Sequence, residues 1–298
     1  MKDILLFMLC LSFAAQAEES HSLAMTNSGQ LIVTQLVSAP FPHSSRAEGH
    51  KYKDEFFPAD KHYSDNTVAM FVPKGFADAG RVDFVIHFHG WRNTVAGTLE
   101  QYKLADQLSA SGRNAILIVP EGPKNAPDSS GGKLEDADGF KQFMDEVIAA
   151  LKRRSVLKND SRIGQIILSG HSGGYQVMSS VVERGGLADQ VREVWLFDAL
   201  YARGEKFLAW SEKTGGRLIN IYTDGGGTKV RTEEMLAQLK QRGTNMLVTT
   251  DTAVIAMELT TNKFVFLHTD LRHNEVVEKR KTFQQFLETS CLAKITKD

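Results

Sequence analysis

Twenty-one residues, Ile163 to Glu183, constrain the fold of this chain more than any other stretch. The run Ile163 to Leu168 is short and β-branched, as a buried strand is. A tight glycine-rich turn follows, Gly170-His171-Ser172-Gly173-Gly174. Gly174 to Glu183 then reads as a helix, stopped by Gly185-Gly186. A strand that turns straight into a helix belongs to a crossover unit, and such units build parallel sheets covered by helices.

The rest of the chain repeats this alternation. Leu31 to Val37 and Thr67 to Val72 read as early strands, with an antiparallel start. The polar and aromatic stretch Phe41 to Asp65 between them reads as an ordered loop. Val82 to Phe88 is a buried strand leading into His89-Gly90-Trp91. Leu99 to Ser109 is a helix, and Ala115 to Val119 a strand stopped by Pro120. The long loop Glu121 to Gly132 follows. Asp138 to Arg153 carries Phe140, Phe143, Val147, Ile148 and Leu151 on one helical face. Later strands are Val194 to Phe197, Leu218 to Tyr222 and Phe264 to Leu267. Thr232 to Arg242 and Asn274 to Thr289 read as helices, and Thr249 to Leu259 as partly strand. The fold class is α/β, with a mainly parallel central sheet and helices on both faces.

The N-terminus reads as an export signal. Lys2 precedes an apolar run, Ile4 to Ala15, too short to span a bilayer, which needs about 20 apolar residues. Ala15-Gln16-Ala17 has the small-x-small pattern of a cleavage site, and polar Glu18-Glu19-Ser20 follows. Residues 1–17 are therefore expected to be a cleaved signal peptide, with 18–298 forming a single domain. That places the mature chain in a bacterial periplasm or outside the cell, with no membrane anchor. Cleavage removes Cys10 and leaves Cys291 alone, so no intrachain disulfide is expected. The formal net charge is −1, which gives no electrostatic footprint for nucleic acid.

The turn at Ser172 points to chemistry. A serine hydroxyl is a weak nucleophile at neutral pH. It needs a base in hydrogen-bond reach, an acid to orient the base, and backbone donors for the developing oxyanion. A Gly-x-Ser-x-Gly turn between strand and helix presents the hydroxyl to all three. In a chain with 24 glycines the bare pattern arises by chance about 0.1 times, so its weight comes from the strand before it and the helix after it. The competing chemistry is a metal site, because His87-x-His89 on a strand sends both rings to one face. No His-x-His-x-Asp-His or His-Glu-x-x-His pattern accompanies it. Neither metal nor other cofactor is expected, and His87 is assigned to the core.

With His87-Phe88-His89-Gly90-Trp91 after an early strand and Ser172 in its elbow, the chain resembles the α/β-hydrolase family from about Val82 to the closing helix. Val119-Pro120-Glu121-Gly122-Pro123, Asp138-Gly139-Phe140 and Ser161-Arg162-Ile163 are similar to the secreted serine esterases of the polyester-depolymerase and feruloyl-esterase-like branch. Gly173 departs from that branch, which commonly has alanine after the serine. The resemblance implies a catalytic triad in the chain order Ser, Asp, His. It implies an oxyanion hole made by the backbone N–H groups of Trp91 and Gly173, with Gly90, His171 and the His89 side chain in support.

The resemblance also puts the base in the loop after the last strand. His273 lies there and is favoured over His268, which still ends a strand. For the acid, Asp198 ends the apolar strand Val194 to Phe197, and Asp224 ends the next strand, before the flexible Gly225-Gly226-Gly227. Asp198 is favoured and Asp224 is the alternative.

Only 20 positions separate Asp198 from Leu218, too few for a large cap domain. An open pocket walled by Phe41 to Asp65 and Glu121 to Gly132 would admit a small or polymer-borne ester, although those stretches serve equally well as packing loops. The expected activity is carboxylic ester hydrolysis through an acyl-enzyme. A peptidase on the same fold and a non-catalytic binding protein are the alternatives.

Overall fold

The computed structural model describes residues 22–25 and 27–296; the expected signal peptide lies outside them. Twelve strands and nine α-helices occur among the described residues. The strands are β1 (Ser22–Met25), β2 (Gly29–Gln35), β3 (His50–Tyr52), β4 (Glu55–Phe57), β5 (Thr67–Pro73), β6 (Arg81–Phe88), β7 (Ala115–Pro120), β8 (Arg162–His171), β9 (Val191–Phe197), β10 (Arg217–Thr223), β11 (Leu247–Thr250) and β12 (Phe264–Thr269). The helices are α1 (Ala59–His62), α2 (Val95–Tyr102), α3 (Leu104–Ser111), α4 (Gly139–Arg153), α5 (Tyr175–Arg184), α6 (Gly204–Thr214), α7 (Thr228–Gln241), α8 (Ala256–Thr261) and α9 (Thr282–Glu288).

Ten strands form one sheet in the order β1-β2-β5-β7-β6-β8-β9-β10-β12-β11. The edge from β1 to β7 pairs antiparallel, and every pairing from β7 to β11 is parallel. The expected antiparallel start and parallel body are both present. Side chains alternate across the sheet, as strand geometry requires. Phe84, Ile86, Ile166, Leu168, Val194 and Leu196 enter one core with α4 and α5. Val85, Ile167, Trp195 and Phe197 enter a second core with Tyr102, Leu108, Phe283 and Phe286. Helices therefore cover both faces, and both cores are built from near-continuous apolar strands.

Three differences from the sequence reading are local. The stretch Phe41 to Asp65 contains a hairpin, β3 with β4, and the short α1. The helix expected over Leu99 to Ser109 is two helices, because Lys103 sits at φ 47° and ends the first. The closing helix is short. A 3-10 turn at His273–Glu275 is held by the bond from the Arg272 N–H to the Glu275 carboxylate. Val276 and Val277 then drop fully into the core, so the helix begins only at Thr282. The stretch between Asp198 and Leu218 holds one 11-residue helix, α6, and no large cap. No helix among the described residues is long and apolar enough to cross a membrane.

Candidate active site

The carboxyl ends of the parallel strands meet at one edge of the sheet, where ligands of open α/β sheets bind. β8 runs through His171 and delivers Ser172 at φ 52°, a left-handed conformation that a non-glycine residue adopts only under local constraint. β9 delivers Asp198 in the same way, at φ 46°. The loop after β12 delivers His273.

Asp198 is wholly buried. Its Oδ2 lies 2.6 Å from His273 Nδ1. The carboxylate also accepts bonds from the Thr223 N–H (3.1 Å), the Thr223 hydroxyl (2.8 Å) and the Thr228 hydroxyl. Burial pushes this carboxyl up, but the bonds from His273, Thr228 and Thr223 outweigh it and hold its pKa below the ordinary value. A carboxylate can only accept, so Nδ1 of His273 carries a proton, and the neutral form of the ring keeps its lone pair at Nε2. Asp224 is elsewhere. It is exposed and pairs with Lys229 (2.7 Å) and His268 (3.0 Å). The two Asp–His pairs are thus separate, and only one includes His273.

Ser172 and His273 line one cavity of about 500 Å³ with Gly90, Trp91, Arg92, Asn93, Tyr102, His171 and Tyr201 among its walls. Gly90 stands where a Cβ would come 2.7 Å from Ser172 Cβ, so the loop after β6 can pass the serine only as glycine. A Cβ on Gly173 would meet Ser129 Oγ at 2.7 Å and Trp91 Cδ1 at 2.8 Å. The Trp91 indole, held by its Nε1–H bond to Ser129 Oγ (2.8 Å), occupies the space an alanine methyl would need. That is the physical reason for glycine after the serine.

The supporting histidines each have partners. His89 Nδ1 donates to the Gly90 carbonyl at 2.8 Å, and Nε2 accepts from the Gly122 N–H at 2.9 Å. Glu121 Oε1 lies 3.0 Å from that Nε2, and Oε2 takes the Val95 N–H at the start of α2. His89 therefore ties the loop after β6 to the loop after β7. His171 bonds Tyr102 and the backbone carbonyl of His273, each at 2.9 Å. His87 is fully buried and bonds Ser169 Oγ at 2.9 Å, in the core role expected of it. No cluster of three metal-ligating side chains occurs among the described residues.

Two tyrosines of the cavity have no counterpart in the sequence reading. Tyr201 lines the cavity beside Ser172, and burial raises its phenol to about 12. Tyr102 closes the floor beneath His171. Neither lies in a recognisable motif. Tyr201 follows Asp198 by three positions, and only the turn after β9 brings it to the cavity that Ser172 lines.

No family model matches this sequence, and no curated protein matches it. Its fold is similar to solved structures. One is a ferulic acid esterase, with a TM-score of 0.53, 14% identity, and coverage of 74% of this chain and 91% of that one. Another is a mutant of the feruloyl esterase module from Clostridium thermocellum complexed with sinapinate, with a TM-score of 0.51, 11% identity, and 88% of each chain covered. Strand order, the turn at Ser172 and this likeness agree: the chain has the α/β-hydrolase fold.

Proposed function

We propose that this protein is a serine hydrolase that cleaves carboxylic esters. One observation carries the reading. A serine in a left-handed strand-to-helix turn and a histidine backed by a buried carboxylate at 2.6 Å line the same cavity. In this reading His273 Nε2 takes the proton of Ser172 as Oγ attacks the ester carbonyl. Asp198 orients the imidazole and stabilises the imidazolium. The N–H groups of Trp91 and Gly173 hold the oxyanion. His273 then protonates the departing alcohol, and water hydrolyses the acyl-enzyme by the same route in reverse. No cofactor takes part. In the same reading, residues 1–17 direct export and are removed.

The test is labelling with a fluorophosphonate, which reacts with activated serines. The unmodified protein is expected to label, and Ser172→Ala is not. An unmodified protein that stays unlabelled, or a Ser172→Ala variant that still labels, sinks the nucleophile assignment. Short-chain p-nitrophenyl esters compared with a peptide panel then distinguish ester from amide cleavage. Export is checked by the N-terminus of the mature protein, expected at Glu18.

A further inference from the structure

The residue before the candidate nucleophile makes a contact that the triad does not require. The His171 ring is buried on the second-core face of β8. It packs against the His273 ring, tilted by 41°, with centroids 4.5 Å apart. Nε2 of His171 lies 2.9 Å from the backbone carbonyl oxygen of His273, and Nδ1 lies 2.9 Å from the Tyr102 hydroxyl. A carbonyl oxygen only accepts, so Nε2 must carry hydrogen. Nδ1 of a neutral ring is then the acceptor, and Tyr102 donates. Burial, reinforced by the neighbouring His273, keeps the ring neutral, its pKa lowered to about 3.

We infer that His171 is a positioning residue: by donating from Nε2 to the His273 backbone, with its tautomer set by Tyr102, it fixes the His273 loop relative to Ser172. The geometry gives this bond unusual reach. His171 is covalently adjacent to Ser172. Tyr102 ends the helix that follows the Gly90–Trp91 loop. His273 stands alone in a 3-10 turn, with no long helix behind it to hold it. One imidazole therefore connects the serine turn, the helix after the oxyanion loop and the histidine loop. Such restraint matters because a displacement of about 1 Å in a reacting group can cost roughly 100-fold in rate.

The inference rests on the proposed roles of Ser172, His273 and Asp198, and the test separates the two. A glutamine side chain places its amide nitrogen near the position of a histidine Nε2. An asparagine reaches only as far as Nδ1. His171→Gln is expected to keep the bond to His273 and to hold kcat within about threefold of the unmodified protein. His171→Asn keeps a partner for Tyr102 and loses the His273 bond. Its kcat on p-nitrophenyl acetate is expected to fall roughly 10- to 100-fold, with KM changed less than threefold. The downfield proton resonance of the His273–Asp198 bond should persist in His171→Gln and broaden or vanish in His171→Asn.

Equal activity in the two variants, with the resonance intact in both, overturns the inference. If position 171 tolerates no change, Tyr102→Phe keeps the ring and removes the donor. The resonance should then weaken, and an unchanged resonance overturns the inference. If the unmodified protein is inert to esters and to the fluorophosphonate, the proposed function fails. The resonance still decides whether His171 orders His273.

Discussion

His273 Nδ1 lies 2.6 Å from Asp198 Oδ2, while the second aspartate at a strand end, Asp224, bonds His268 instead. The two carboxylates differ in more than partner. Asp198 is buried and receives three bonds from threonines, so it is rigid. Asp224 is exposed and shares its charge with Lys229 across solvent. Asp198→Asn should leave the fold intact but favour the wrong histidine tautomer, lowering kcat by about 10³- to 10⁴-fold. Asp224→Asn should leave kcat/KM within about twofold, because exposed pairs contribute little. Ester hydrolysis by the two purified variants checks this. Loss of activity in Asp224→Asn alone would assign the acid to the other strand.

Stability should respond to acid through two buried histidines. His87 and His171 are both fully buried, and burial, chiefly, lowers each from 6.5 to about 3. The unfolded chain binds protons at these sites as pH falls through 6.5, and the native chain does not. Stability is therefore present above about pH 6.5 and is lost progressively as pH falls toward 3, by about 1.4 kcal/mol per site per pH unit. Asp198, with its lowered pKa, adds to the loss in the same direction only below the ordinary aspartate range. His87→Asn keeps a polar group near Ser169 without titrating in this window. Urea unfolding between pH 4 and 6 should show roughly half the pH slope in that variant. An unchanged slope would mean that His87 is not held neutral.

Phe283 of α9 is an aromatic hub of the second core and is fully buried. It meets Trp195, His87 and Phe197 with ring centroids 5.9, 6.0 and 6.2 Å away. Phe283→Ala leaves a cavity among stiff rings that cannot collapse, so the expected loss is about 3–5 kcal/mol. Urea midpoints measured near neutral pH report it directly. A loss under about 1 kcal/mol would show that α9 repacks.

The sheet was legible because its strands are short β-branched runs ending in glycine, proline or aspartate. Ile163 to Leu168 and Val194 to Phe197 needed no tertiary knowledge. The serine turn was legible for the same reason, since its geometry is local. The interactions of His273 were not. Its separation from Asp198 is 75 positions, and the choice between Asp198 and Asp224 depends on how β9, β10 and β12 stand side by side. The split of the helix at Lys103 and the shortened closing helix were also hidden. The first depends on Lys103 at positive φ, the second on Val276 and Val277 entering the core before Lys281, also at positive φ, opens the helix. Tyr201 and Tyr102 gave no signal, because a tyrosine in a cavity and one in a core look alike in sequence.

Gly173 gives the most direct link between packing and rate. An added methyl would approach Ser129 Oγ and Trp91 Cδ1 to 2.7 and 2.8 Å. The hydroxyl can rotate away, but the indole is anchored by its Nε1–H bond to Ser129 and gives way less easily. Trp91 also packs edge-on against Tyr52, with centroids 5.1 Å apart, a second contact that any displacement would disturb. Gly173→Ala is therefore expected to push the Trp91 N–H away from Ser172. The drop in kcat should be roughly 10- to 100-fold, with the fold retained. Adding Trp91→Ala removes the clash while keeping the backbone N–H. The double variant should recover most of the loss in kcat, at a cost in KM if the indole touches substrate. Steady-state kinetics on one p-nitrophenyl ester across the single and double variants decides it. Additive losses would mean that the methyl and the indole act independently, and that glycine at 173 serves something other than the seat of Trp91.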